Sequence, residues 1–289
     1  MNYRELQLFL SKECKKAKVG VFGLTALNRN LYFVKFVFDC SKDYCIITAA
    51  THAREHITTD LVCEIIKDVE TNFDLYQKRG VPNLIFVPML NPDGVELCYF
   101  GDASVWDKKR RAFLIKINGK KDFSLFKANA NGVDLNTNFD AKWGSGASNK
   151  FVPAASDYIG QSPMSEAEVK ALAFLTLKIK PIFTISYHAK GEEIYYQFYN
   201  DKQFLVRDEK IAKIIAKSTS YTIKNVQNVS GGGYKDWCVL RLKIPAVTIE
   251  VGKNSLIHPI GKKSLDEIYQ KNKNIISVLS EVRKIYYDT

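Results

Sequence analysis

The sequence predicts an α/β protein with a mixed, mainly parallel central sheet and helices on both faces of that sheet. Two observations support this. Short apolar runs rich in β-branched and aromatic residues alternate with longer segments in which apolar residues stand three and four apart. That alternation is typical of parallel strands joined by helices. No repeat, low-complexity tract or linker interrupts the chain, so we predict one domain over residues 1–289.

Six apolar runs are the predicted strands. In chain order they cover 31–38, 44–50, 83–90, 182–187, 194–199 and 245–251. They contain few polar residues, as expected of strands that are buried on both faces.

Four segments with helical spacing are the predicted helices. They cover 57–77, 165–179, 203–218 and 264–286. In the second of these, Ser165 and Glu168 have the spacing of a capping box, and Pro181 stands just past the last turn. The stretch 101–160 is weakly periodic and rich in Asn, Gly and Lys. Long irregular segments in compact domains are usually functional, so we predict that this one lies over the working edge of the sheet.

The charge balance favours some classes of partner over others. The chain has 42 Lys and Arg against 31 Asp and Glu, a formal charge of +11, and the basic residues are spread along it. A Lys-rich solvated surface accounts for this, and an acidic substrate is the second explanation. We expect no nucleic-acid partner, because no aromatic-basic module or helix-turn-helix pattern is present.

The first residues, the lengths of the apolar runs and the cysteines indicate the cellular compartment of the protein. The first residues include Glu5 and only a short apolar patch at 6–10, which does not resemble a secretory signal, so we expect a cytoplasmic protein. No run of 18 apolar residues predicts a membrane span. Six scattered cysteines without a CxxC pair predict free thiols.

Two of the four histidines follow predicted strands. His52 comes just after the strand 44–50, and His188 comes just after 182–187. In open α/β sheets, sites are built where strands end at their carboxyl termini. Glu55 stands three residues after His52, within reach of the same ion. Two imidazole nitrogens and one carboxylate form a catalytic zinc site that leaves a fourth position for water.

A third strand end carries another carboxylate. Glu250 closes the run that begins at Pro245. A carboxylate there is costly to bury without a partner, so it is either one half of a buried ion pair or a functional group. The functional interpretation is a general base that takes a proton from the attacking water.

The first motif has a competing interpretation. His52, Glu55 and His56 also satisfy H-x-x-E-H, in which two histidines on one helical turn bind zinc and the Glu is the base. The amphipathic pattern begins only near Ile57, however, so the two histidines need not share a helical face.

Taken together, these motifs resemble the funnelin-type zinc carboxypeptidases from about Tyr44 to Gly252. The matching stretches are THAREHIT, VPMLNPDG, SYHAKGEEIYY, GGGYKDW and PAVTIEVG, in the family's order. The resemblance implies that His52, Glu55 and His188 bind one zinc ion and that Glu250 is the catalytic carboxylate.

The resemblance also implies roles for two arginines. Arg110 stands four residues after Trp106, as does the family's arginine that stabilises the oxyanion, and Arg54 would bind substrate. The alternative for Arg110 is a solvated basic run.

In GVDLNTNF, Asn136 matches the family's substrate-binding Asn, but Thr137 stands where the family places the arginine that clamps the terminal carboxylate. A hydroxyl cannot replace a bidentate guanidinium, so we expect something other than ordinary C-terminal trimming. Asn228 lies near the expected position of the family's substrate-closing tyrosine. Tyr221 and Tyr234 flank it, and neither is assigned.

The missing clamp, with NANGVDLNTNFDAKWG and YHAKGEEIYY, makes the chain most similar to the bacterial γ-D-glutamyl-meso-diaminopimelate peptidases. That resemblance implies hydrolysis of a peptidoglycan stem peptide or muropeptide, in the cytoplasm or in a spore compartment. Two alternatives stay open: a metallocarboxypeptidase that uses another cation as its clamp, and a non-catalytic wall-peptide-binding protein.

Overall fold

A computed structural model describes residues 1–224 and 231–288 of the chain. Eight strands join in one sheet, in the spatial order β1-β2-β4-β3-β5-β8-β6-β7. Their bounds are β1 Lys18–Leu24, β2 Asn30–Phe36, β3 Tyr44–Thr48, β4 Asn83–Val87, β5 Phe183–His188, β6 Glu193–Tyr195, β7 Thr222–Ile223 and β8 Ala246–Glu250.

Ten α-helices are present in the described part of the chain. They are α1 Tyr3–Glu13, α2 Ile57–Thr71, α3 Phe73–Lys78, α4 Pro92–Phe100, α5 Lys108–Asn118, α6 Ala167–Ile179, α7 Lys202–Thr219, α8 Tyr234–Trp237, α9 Leu265–Asn272 and α10 Leu279–Tyr287.

The centre of the sheet is parallel and its edges are mixed. Strands β4, β3, β5 and β8 run parallel to one another. On one side β1 and β2 add antiparallel strands, and on the other β6 is antiparallel to β8 and parallel to β7. The predicted mixed, mainly parallel sheet is confirmed. Its parallel centre brings the carboxyl ends of β3, β5 and β8 to the same edge.

Both faces of the sheet are covered, as predicted. Along β3, Cys45 and Ile47 belong to one buried cluster, whereas Ile46 between them belongs to another. Successive strand residues point to opposite faces, so the two clusters lie on opposite sides of the sheet. The first cluster includes residues of α2, α7 and α10, and the second includes residues of α6 and α8.

Several predicted helices differ in detail. The segment 57–77 is two helices that meet at Asn72, and 264–286 is interrupted between α9 and α10. Apolar spacing continues across both breaks because both flanking helices pack on the same core. The capping box is wrong: Glu166 is the N-cap residue of α6, and Ser165 donates instead to the Glu166 carboxylate at 2.8 Å. Pro181 follows the end of α6 as expected.

Some elements were not anticipated from the sequence. Helices α1, α4 and α5 and the edge strand β1 were not predicted, and the strand expected at 194–199 is only the three residues of β6. The irregular segment 101–160 contains α5, but from 119 onward it is mainly turns and short helical turns.

All six cysteines are free, as predicted. In the described part of the chain, every helix is too short or too polar to span a bilayer.

Candidate metal centre

The two predicted histidines meet because their strands are neighbours. Strands β3 and β5 pair in parallel, with Thr48 opposite Ser186. Strand β5 ends at His188 itself, and the chain leaving β3 reaches His52 four residues after the strand ends. A short 3-10 turn, Ala53–Glu55, then returns Glu55 toward both imidazoles.

The three side chains form one compact buried group. His52 Nδ1 lies 2.8 Å from Glu55 Oε1, and His188 Nδ1 lies 3.1 Å from Glu55 Oε2. The two Nδ1 atoms are 3.1 Å apart, and the rings have centroids 4.6 Å apart. His188 is only 1% exposed. Among the described residues, this is the one group of three or more His, Cys, Asp or Glu side chains that could hold a metal ion.

The hydrogen-bond chemistry of this group calls for a cation. His52 Nε2 lies 3.1 Å from Asp134 Oδ1, so a neutral His52 donates its N–H there and points a lone pair from Nδ1 at Glu55. An acceptor that faces an acceptor needs a proton or a metal ion between the two. Two imidazole nitrogens and a carboxylate that converge in this way are a ligand set that zinc accepts.

The close approach of these side chains shifts the pKa values of Glu55 and His52. Burial works against ionisation of Glu55, but the neighbouring charges and hydrogen bonds of His52 and His188 outweigh it and hold the pKa of Glu55 well below its usual value. For His52, burial lowers the pKa, but the charges of Glu55 and Asp134 prevail and leave it raised. Both shifts favour a charged, polar cluster in a site from which water is largely excluded.

Asp134 contacts His52 of this group, and the sequence did not single it out. Its Oδ1 faces His52, its Oδ2 lies 2.8 Å from Lys127 Nζ, and its side chain is fully buried. Burial opposes its ionisation, yet the positive charges of Lys127 and His52 hold its pKa well below the usual value. A carboxylate behind a ligating histidine fixes the ring's tautomer and orientation. The only sequence signal was its place before the predicted substrate residues 136–137.

Glu250 stands beside this group. In the parallel pairing of β5 with β8 it is the direct partner of His188, so both side chains project from the same face of the sheet. The carboxylate is partly buried and has no hydrogen-bond partner among the described residues. Burial raises its pKa above the usual value, and the positive charge of His188 opposes that rise. A carboxyl group with a raised pKa is suited to accept and return a proton.

The H-x-x-E-H interpretation is wrong. His52 and Glu55 precede the helix, and α2 begins at Ile57. His56 turns away and lies 3.2 Å from the Tyr99 hydroxyl. Burial lowers the pKa of His56 to about 4.

Within residues 1–224 and 231–288, no hydrogen bond joins either of the predicted arginines to the metal group. Arg110 Nη1 donates to Asn131 Oδ1 at 2.8 Å and to the Ala130 carbonyl at 3.3 Å. Arg54 has a buried Nε without a hydrogen-bond partner in that same part of the chain. Their roles toward substrate stay predictions.

The other predicted substrate residues have different surroundings. The backbone N–H of Asn136 donates to Asp134 Oδ1 at 3.0 Å. The Thr137 hydroxyl donates to the Asp134 carbonyl at 2.8 Å, so it is already engaged with backbone. Tyr221 and Tyr234 are both buried core residues, and Asn228 lies outside the described residues.

The fold and this buried group define an α/β protein with a candidate metal site at the carboxyl edge of its sheet. The sequence profile of the zinc carboxypeptidases matches residues 3–275. The chain therefore belongs to the zinc carboxypeptidase family, and zinc is the metal that its His–Glu–His group is expected to hold.

One relative within the family is named for the bond that it cleaves. The chain is 32% identical over 237 residues to gamma-D-glutamyl-L-diamino acid endopeptidase 1 of Lysinibacillus sphaericus, covering 77% of this chain and 57% of that protein. This chain thus spans little more than half the length of that relative.

Two solved structures share the fold. A thrombin-activatable fibrinolysis inhibitor superposes with a TM-score of 0.77 at 18% identity, covering 99% of this chain and 76% of the other. The murein-tripeptide amidase of Escherichia coli O157 superposes with a TM-score of 0.57 at 21% identity, covering 91% of each chain. At these identities the likeness concerns the fold alone.

Proposed function

We propose that this protein is a zinc peptidase that hydrolyses the γ-D-glutamyl-meso-diaminopimelate bond of peptidoglycan stem peptides. The observation behind this proposal is the convergence of His52, Glu55 and His188, with Glu250 opposite His188 on the next strand. That arrangement supports hydrolysis of a peptide bond. The relative named for a γ-D-glutamyl-L-diamino acid bond supports the choice of bond.

The residues divide the chemistry among them. His52, Glu55 and His188 would hold zinc, which supplies Lewis acidity and lowers the pKa of water. Glu250 takes a proton from the attacking water and later delivers it to the nitrogen of the leaving amine. Arg110 donates hydrogen bonds to the oxyanion as negative charge develops on it. Arg54 and Asn136 orient the substrate on either side of the bond.

The surroundings of Thr137 support an endopeptidase or amidase over a carboxypeptidase. A carboxypeptidase holds the terminal carboxylate with a bidentate cation, and the Thr137 hydroxyl is already bonded to the Asp134 carbonyl. Stem peptides also carry several free carboxylates, which suit a chain of net charge +11.

Two other functions make different predictions. A metallocarboxypeptidase that removes a C-terminal residue would require a free terminal carboxylate. A non-catalytic wall-peptide-binding protein would bind zinc and peptide without turnover. The experiment below separates all three.

The test uses the stem tripeptide L-Ala-γ-D-Glu-meso-diaminopimelate, with its terminal carboxylate either free or amidated, and identifies the products by mass spectrometry. We expect L-Ala-D-Glu to be released from both forms and the release to stop with a chelator and resume with zinc. A carboxypeptidase would cleave the free tripeptide but spare the amidated one, and from a longer stem peptide with a free terminal carboxylate it would release only the last residue. Intact peptide with zinc-loaded protein would support the binding protein.

Glu250→Gln tests the proposed base. The amide keeps the shape of the side chain but cannot accept the proton, so we expect turnover to fall by about 10²–10⁴-fold. Bound zinc, measured by elemental analysis, should stay at the parent level. The matched control is Glu193→Gln, which changes the carboxylate opposite Glu250 on β6 and should leave turnover within a few-fold. Parent-like hydrolysis by Glu250→Gln would refute the assignment.

A further inference from the structure

The helix that carries Arg110 presents a row of lysines to solvent. Helix α5 contains five basic residues and no acidic one. Lys108, Ala112 and Lys116 are exposed, and their spacing of four residues places them in one row along the helix. Lys109 is exposed beside this row. Among residues 1–224 and 231–288, no carboxylate forms an ion pair with any of these lysines, so their charges are available to a partner.

Three apolar side chains are exposed next to this helix. Trp106, two residues before α5, is 94% exposed and is the most exposed large apolar residue in the described chain. Phe151 and Val152 are 70% and 67% exposed. They directly precede Pro153, which lines the same cavity as Phe113 of α5. Tryptophan is largely buried on average in folded proteins, so this group of exposed apolar side chains indicates an interaction surface.

Tight packing holds the segment 151–153 against α5. The Ala154 N–H donates to the Gly132 carbonyl at 3.1 Å. Gly132 has a φ of 72°, and a Cβ at this position would lie 2.5 Å from Ile117 Cδ1 of α5 and 3.3 Å from Pro153 Cβ. The helix and the segment therefore meet at one glycine and form a single packed surface.

The composition of this surface identifies the partner that fits it. The α5 face, as we call it, consists of Trp106, Lys108, Lys109, Lys116, Phe151 and Val152. The centres of protein interfaces are depleted in lysine, whereas here lysines adjoin the apolar side chains. A dissolved polyanion would pair with the lysines but leave three apolar side chains in water. The surface of a lipid bilayer accommodates both, because its headgroups can carry negative charge and its interface favours aromatic side chains.

We propose that the α5 face docks on the surface of an anionic lipid bilayer. The lysines pair with the acidic headgroups, and Trp106, Phe151 and Val152 enter the boundary between headgroups and acyl chains. The contact is peripheral, because α5 has only 11 residues, five of them basic, and cannot cross a bilayer. The net charge of +11 adds a long-range attraction to the same surface. This inference goes beyond the proposed function and does not depend on it.

The test measures binding of the parent chain to sucrose-loaded vesicles by sedimentation. The vesicles contain either phosphatidylcholine alone or equal parts of phosphatidylcholine and phosphatidylglycerol. At low ionic strength we expect the partition coefficient to be at least about tenfold larger for the anionic vesicles. Added salt should reduce this difference, because it screens the attraction between the lysines and the headgroups.

A pair of matched double variants tests whether the α5 face makes the contact. Lys108→Gln/Lys109→Gln should weaken binding to the anionic vesicles by about 10–30-fold, because each lysine near the headgroups strengthens binding by about fivefold. Lys210→Gln/Lys217→Gln makes the same charge change on the exposed side of α7, which packs on a different buried cluster. This control should bind close to the parent value. If net charge alone governed binding, the two double variants would weaken it equally.

Trp106 reports whether the face enters the bilayer. Its fluorescence should be quenched by anionic vesicles with brominated acyl chains, whereas Trp237 is only 5% exposed and should be unaffected. Trp106→Phe should therefore remove most of the quenching. Phe151→Ser should weaken vesicle binding several-fold, and Val206→Ser, at an exposed position of α7, should not. Both replaced side chains are mainly exposed, so neither serine disturbs the core.

Equal partition into neutral and anionic vesicles would overturn the proposal, as would equal weakening by the α5 and α7 double variants. Anionic binding without quenching of Trp106 would show that the lysines pair with negative charge while the face stays outside the bilayer, and that result also refutes the docking. None of these measurements involves the peptide substrate. Failure of the proposed hydrolysis would therefore leave the docking result unchanged, and the reverse also holds.

Discussion

At the scale of single residues, His52 is the best-defined member of the candidate site. Its Nδ1 faces Glu55 and His188, and its Nε2 faces Asp134. Asp134 therefore determines which nitrogen carries the proton and leaves the other free for a metal. The ligand's basicity and ring orientation both depend on this buried carboxylate.

Asp134→Asn should weaken zinc binding by about 10–100-fold, because the amide can donate to Nε2 and favour the wrong tautomer. The matched control is Asp157→Asn, which removes another partner of Lys127, at 3.4 Å, without contact to His52. Zinc affinity is measured by competition with a chromogenic chelator. Equal affinity of the Asp134 and Asp157 variants would show that Asp134 has no such role.

The sequence predicted the residues that follow strands and missed those fixed by tertiary hydrogen bonds. His52, Glu55, His188 and Glu250 each lie at or just past the end of an apolar run, so strand prediction located them. Asp134 lies in irregular chain. Its position depends on Lys127 and His52, whose proximity to it no local pattern records.

At the scale of elements, the Asn91 side chain links helix α4 to the loop before His52. Asn91 caps α4 by accepting from the Gly94 N–H at 3.0 Å. Its Nδ2 donates to the carbonyls of Thr51 and Ala128 at 3.2 and 3.0 Å. The cap thus connects the strand end that carries the first ligand with the irregular segment.

Asn91→Ala should lower the free energy of unfolding by about 2–4 kcal/mol, because three buried backbone groups lose their partner. Asn118→Ala is the control: its amide makes two similar backbone hydrogen bonds at the exposed end of α5, and its loss should cost less than about 1 kcal/mol. Urea denaturation measures both. Similar losses for the two variants would contradict the structural role given to Asn91.

Local pattern explains which elements could be predicted. The central strands β3, β4 and β5 are almost wholly buried, and their apolar runs are unmistakable. Edge strand β1 is exposed or half-exposed at every position, and two glycines interrupt its apolar residues, so it has no continuous apolar run. The break between α2 and α3 at Asn72 is determined by packing. It does not interrupt the apolar spacing, so the sequence does not reveal it.

At the scale of the whole molecule, the sheet's topology assembles the site. His52 and His188 are 136 residues apart in sequence and meet only because β3 and β5 are neighbours. A metal ion bound there would link both strands to the short turn that carries Glu55. The metal would then stabilise the entire fold, because the unfolded chain cannot bring its three ligands together.

Zinc removal should therefore lower the melting temperature. Free zinc at 100 times its dissociation constant contributes about 2.7 kcal/mol, which corresponds to a shift of about 4 °C for a chain of this size. Differential scanning calorimetry with chelator and with restored zinc measures the shift. His56→Ala, which changes a histidine outside the group, should keep the zinc-dependent shift, whereas His188→Ala should lose it.

The central claim is that His52, Glu55 and His188 hold one zinc ion. Elemental analysis of the purified protein, with zinc counted per chain, tests it most directly. The expected result is one zinc per chain in the parent protein and in Glu250→Gln, and far less than one in His188→Ala and Glu55→Ala after the same dialysis. Full retention of zinc by folded His188→Ala and Glu55→Ala would contradict the account.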